Sequence, residues 1–137
     1  MSIDPAHLPL LGNVEPADPP SPVRAASVLL LAHVTVTGGH LALVWAKTGQ
    51  DLSLFAVPLG LIVWFALSVR GGRDWARLAV LLVAPLVLLL TLTVSSGAVD
   101  LAAVALSALL VGCSAHQMFR ADVADYFAQA GDQADRV

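Results

Sequence analysis

Four long apolar runs dominate the chain. They cover residues 23–46, 52–69, 75–94 and 98–119. Each is close to the roughly 20 residues that a helix rising about 1.5 Å per residue needs to cross about 30 Å of hydrocarbon. The breaks between them are short and polar: Lys47 to Asp51 with Gly49, Arg70 to Asp74 with Gly71 and Gly72, and Ser95 to Gly97. Connections this short make consecutive elements antiparallel neighbours. Lipid cannot satisfy the open edge of a sheet, so the runs are expected to be helices. The pattern therefore predicts an all-α protein, an integral membrane antiparallel four-helix bundle with short loops.

The flanks differ from the runs. Residues 1–22 hold six of the eight prolines together with Asp4, Glu15 and Asp18. They are expected to be an extended or disordered cytoplasmic segment. They show no basic stretch followed by an apolar one, so the first run is expected to be an uncleaved anchor. Pro19, Pro20 and Pro22 keep helix from starting before about Pro22. Residues 120–137 form an acidic cytoplasmic tail. Phe119, Val123 and Tyr126 fall at helical spacing there, which predicts a short amphipathic helix at the membrane surface that ends near Gly131.

Composition supports lipid as the solvent. The 137 residues are 58% hydrophobic and 12% charged, against about 25% charged in a soluble domain. The net charge of −3 and the lack of a basic stripe point away from a nucleic-acid partner. Charge placement predicts orientation. With the N-terminus inside, Arg24, Arg70, Arg73, Arg77, Arg120 and Arg136 are all cytoplasmic and only Lys47 is outside. Both ends are then cytoplasmic, in an inner membrane. Trp45 falls near the outer interface, and Trp64 and Trp75 toward the inner one.

Few residues carry candidate chemistry. His33, Thr37 and His40 share one face of the first run. That face is expected to be a buried polar seam, or a pore or ligand face, with His116 of the fourth run as a further member. His33 and His40 are separated by about 10.5 Å along the helix, too far to share one metal ion. His33 and His116 lie at different depths, which disfavours a bis-histidine haem. No metal and no cofactor are expected. Gly38 and Gly39, with Ser107, Ala108 and Gly112 of the fourth run, are candidate small-residue packing positions. Ala108, Gly112 and His116 repeat every four residues and suit either the first run or a partner chain. Cys113 lies in an apolar run and is expected to pack. Pro58 and Pro85 interrupt the second and third runs and are candidate kinks.

Absences narrow the function classes. No Asp, Glu, Lys or Arg lies near the middle of a run, where a proton- or cation-coupled transporter places its carboxylate. Asp100 is expected to be an exposed acid at a helix start. No nucleophile triad, metalloprotease motif or phosphate-cradling loop appears, so an enzyme is not expected.

Three segments carry a resemblance: Pro19-Pro20-Ser21-Pro22-Val23-Arg24, Gly72-Arg73-Asp74-Trp75-Ala76-Arg77, and Phe119 to Phe127. Over roughly residues 19–127 the chain resembles a group of small bacterial four-span membrane proteins. That group shares a Gly-Arg-(Asn/Asp)-Trp-Ala-Arg cytoplasmic loop and an aromatic tail. The resemblance implies the four-span fold and a bacterial source, with Ala-Val-Leu richness suggesting an actinobacterium. It implies no activity. In the loop, Asp74 is expected to cap the third helix, and Arg70, Arg73, Trp75, Arg77 and Arg120 to anchor to interface and headgroups.

Three functional expectations follow. The first is an accessory or assembly subunit of a larger membrane complex, held by the bilayer and by a larger partner or by self-association. The second is a small oligomeric channel or transporter that uses the polar face of the first helix. The third is a haem- or quinone-associated redox protein.

Overall fold

The computed structural model describes residues 18–136, and the expectations for residues 1–17 lie outside them. Helix α1 spans Ser21–Thr48. One turn of 3₁₀ helix, Ser53–Phe55, leads into α2, Ala56–Arg70. Helices α3 (Asp74–Val94), α4 (Ala98–Met118) and α5 (Ala121–Asp135) follow. No strand occurs among the described residues. The protein is an all-α, antiparallel four-helix bundle, α1 to α4, with α5 added at one end. Four elements, Ser21–Thr48, Ser53–Arg70, Asp74–Val94 and Ala98–Met118, are long and apolar enough to cross a membrane.

Local chemistry sets the helix ends. Pro22 occupies the first turn of α1, where a missing N–H costs nothing. Gly49 ends α1 with φ 66°, a left-handed conformation that glycine adopts without Cβ strain, and its N–H donates to the Trp45 carbonyl. The Ser53 N–H donates to the Asp51 carboxylate at 2.9 Å and starts the 3₁₀ turn. That bond holds the Asp51 pKa below the ordinary carboxylate value.

Each helix of the ring buries one stripe. The stripes are Val23, Ala26 and Leu30 on α1, Ile62, Ala66 and Val69 on α2, and Ala76, Val80, Ala84 and Val87 on α3. Spacings of three and four keep each stripe on a single face. Helix α1 packs chiefly on α4 and α2, α2 on α3, and α3 on α4. Large apolar residues such as Leu82, Leu89, Val99 and Leu109 point outward. Lipid accepts them as water would not.

Several expected details differ. Asp74 is the first residue of α3 rather than its cap; Arg73 holds the cap position and no side chain caps the helix. Pro58 lies in the first turn of α2, where no helical N–H is lost, so it interrupts nothing. Pro85 lies inside α3, which continues through it to Val94. The tail helix does not end at Gly131 but runs on to Asp135.

The apolar face of α5 is not turned to lipid. Val123 and Phe127 are fully buried in the bundle core, and Tyr126 packs against it. The Tyr126 hydroxyl donates to the Arg70 carbonyl at 3.0 Å. Burial raises its pKa, which keeps the proton on the donor. Gly72 has φ 78°, and a Cβ there would sit 2.7 Å from the Ala130 Cβ. Gly72→Ala should therefore push α5 off the α2–α3 turn, costing roughly 1–3 kcal/mol. Hydrogen exchange on residues 121–135 should rise while α1 to α4 keep their protection.

Candidate functional site: a closed polar seam and an open helix face

The polar residues of α1 meet α4 through a line of side-chain contacts. His33 is fully buried, and Thr37 and His40 are 2% and 6% exposed. The Thr37 hydroxyl shares a hydrogen bond with His33 Nδ1 at 3.3 Å and another with the Ser107 hydroxyl at 3.1 Å. Further along, the Ser114 hydroxyl donates to the Ala26 carbonyl at 3.1 Å. At the opposite end, His40 Nε2 lies 3.4 Å from the Ser95 hydroxyl, and His40 Nδ1 lies 3.6 Å from the Asp100 carboxylate. The pairings 26 with 114, 37 with 107 and 40 with 100 run in opposite directions along the two helices. They fix α1 and α4 as antiparallel partners in one register.

Asp100 does two things there. Its other carboxylate oxygen accepts from the backbone N–H groups of Ser96 and Gly97, both at 3.2 Å. It therefore closes the α3–α4 turn and faces His40. It is only partly exposed, which corrects the expectation of a solvent-facing helix-start acid. An acid three residues after Gly97 is a capping spacing visible in the sequence. The contact with His40 comes only from helix packing.

The seam is filled by its own side chains. One polar atom in it has no partner, His33 Nε2. His116 does not join the seam: it lies on an exposed part of α4. The inward face of α4 is Val104, Ser107, Val111, Ser114 and Met118. His116 falls two residues, or about 160° of helical rotation, from both Met118 and Ser114.

The expected packing residues divide in the same way. Ser107 is 2% exposed and makes the Thr37 contact. Ala108 and Gly112 face outward. A Cβ at Gly38, Gly39 or Gly112 would meet nothing within 4 Å, so none of these glycines serves a close approach inside the bundle. Small residues do draw α1 and α4 together, but they are Ala26, Ser107 and Ser114. On the outward face of α4, Ala105, Ala108, Leu109, Gly112, Cys113, His116 and Gln117 line a groove of about 710 Å³. Cys113 is exposed on that face, not packed.

The expected anchors also separate. Arg77 pairs with Asp74 and donates to the Met118 carbonyl at 3.1 Å. Its guanidinium lies over the rings of Phe127 at 4.1 Å and Phe119 at 5.2 Å. It ties α3, α4 and α5 together. Arg120 pairs with Asp122 at 3.1 Å. Arg70 is exposed and Arg73 half-buried. Trp75 is 48% exposed, and its ring meets Phe65 edge-on at 5.8 Å.

No group of His, Cys, Asp or Glu among the described residues is arranged to hold a metal ion. Four apolar crossing helices place the chain in the class of multi-pass membrane proteins. No family model, curated protein or solved structure matches the chain.

Two measurements test the seam. In a double-mutant cycle of Thr37→Val and Ser107→Ala, unfolding in detergent should give a coupling of roughly 0.6–2 kcal/mol, the range for interhelical hydrogen bonds. His33→Leu removes the unpartnered ring nitrogen and leaves Thr37 paired with Ser107. It should keep stability within about 1 kcal/mol of the parent, or raise it.

Proposed function

We propose that the chain is a non-catalytic accessory or assembly subunit of a larger complex in a bacterial inner membrane. The supporting observation is the contrast between the two faces of α4. The inward face is used by α1 and α3, whereas the outward face carries small residues and a groove at Ala105, Ala108 and Gly112. Lipid tails are as apolar as leucine, so membrane helices associate through close packing and polar contacts. A face built from Ala and Gly with His116 and Gln117 at one end offers both.

The charge bias supports an orientation with the arginine-rich end, α5 and both termini in the cytoplasm. A small oligomeric channel is the second reading. The unpartnered His33 Nε2 favours it, and the close packing of the seam weighs against a path through a single copy. Haem or quinone ligation by His33 with His116 is disfavoured, because the two imidazoles do not share a face.

Gentle extraction of a tagged copy expressed at native level, followed by mass spectrometry, tests this. One or two membrane proteins are expected in fixed ratio, and Ala108→Leu with Gly112→Leu should reduce their recovery at least tenfold without lowering the bundle's own melting temperature. A preparation of this chain alone as a defined oligomer would overturn the subunit reading and favour the channel. Proton and anion flux in liposomes would then be measured.

A further inference from the structure

The α2–α3 turn presents two arginines. Arg70 ends α2 and Arg73 precedes α3, with only Gly71 and Gly72 between them. Neither has a carboxylate partner among the described residues, whereas Arg77 and Arg120 are paired with Asp74 and Asp122. The turn is also held rigidly. The N–H groups of Gly71, Gly72 and Arg73 donate to the carbonyls of Leu67, Val69 and Ser68. From outside, α5 clamps it: Tyr126 donates to the Arg70 carbonyl, and Ala130 fills the space beside Gly72. Beside the turn, Trp75 is about half exposed, and indole side chains favour the headgroup region of a bilayer.

We propose that Arg70 and Arg73 form a binding site for the phosphodiester of an anionic phospholipid headgroup, and that α5 positions them by clamping the turn. A guanidinium is well suited to phosphate because it offers several N–H donors in one plane. A turn fixed in advance loses little freedom on binding. The α5 carboxylates do not compete at close range: Asp122 is held by Arg120, and Asp125, Asp132 and Asp135 lie on the exposed side of the helix, away from the face that meets the turn. Arg77 stays outside the site because Asp74 and two aromatic rings already surround it.

The test uses the full chain in a nonionic detergent. Phosphatidylglycerol, phosphatidylcholine or inorganic phosphate is added, and thermal stability and lipid adducts in native mass spectrometry are followed. Phosphatidylglycerol alone should raise the melting temperature and give a defined adduct. Removing both charges with Arg70→Gln and Arg73→Gln should weaken that binding about thirtyfold, roughly fivefold per arginine. The lipid-free melting temperature should be unchanged. Arg70→Lys with Arg73→Lys keeps the charges but loses the planar donors and should bind phosphatidylglycerol at an affinity between those of the parent and the glutamine variant; full parental binding would overturn the guanidinium role. Tyr126→Phe, with both arginines in place, should weaken binding by loosening the clamp. Equal stabilisation by phosphatidylcholine would overturn the site, as would full retention of phosphatidylglycerol by the glutamine variant. Equal stabilisation by inorganic phosphate would overturn the lipid assignment. Unchanged binding in Tyr126→Phe would overturn the positioning role of α5.

Discussion

Lipid offers no hydrogen-bond partner, and the arrangement of this bundle follows from that constraint. Backbone groups answer it by forming helices. Polar side chains answer it by facing one another. On α1 the residues that need partners are Ser27, His33, Thr37 and His40, all on one face and all buried. On α4 the matching residues are Ser107, Ser114 and Asp100. Hydrophobic burial cannot discriminate among leucine-rich faces in a membrane, so the polar line sets which helix α1 chooses and in which register. The α2 and α3 helices, with purely apolar stripes over most of their length, complete the ring through short connections that leave little freedom.

The same reasoning separates the two ends of the bundle. At the Lys47 end, Asp100 and His40 close the α3–α4 turn onto α1, joining three elements through one carboxylate and one imidazole. At the arginine end, α5 forms a cap. There the dominant contact is a cation held between aromatic rings, Arg77 against Phe127 and Phe119. A helix with Val123, Tyr126, Phe127 and Ala130 on one face and carboxylates on the other is suited to lying on lipid. It packs on the protein instead, because Gly72 leaves room for Ala130 and the Arg70 carbonyl accepts from Tyr126. Two exposed surfaces differ in character from the leucine-rich exterior: a small-residue face on α4 and a basic turn at the α5 end of the bundle.

Much of the fold was legible in the sequence, because hydrophobic length and the position of breaks depend on local chemistry alone. Four apolar runs near the span of a bilayer imply four helices, and loops of a few residues imply antiparallel order. The histidine-threonine face of α1 was also legible, since helical spacing alone puts its three residues together. The bounds of the four spans shifted by at most two residues, counting the 3₁₀ turn at Ser53 with α2, whereas the tail helix ran four residues past Gly131.

What the sequence could not determine was which face of each helix meets which neighbour. Ala108, Gly112 and His116 share a face by spacing, but spacing is blind to whether that face points inward. Only packing turned Ser107 and Ser114 to α1 and left those three outside. Arg77 and Arg73 sit in one loop motif and look alike as interface arginines, yet one is enclosed by rings from α4 and α5 and the other is not. The amphipathic tail carried the same ambiguity, since an apolar helix face fits lipid and protein equally well. Periodicity is a property of one helix. The choice of partner is a property of two, settled by the shape and hydrogen-bonding groups that the second one brings.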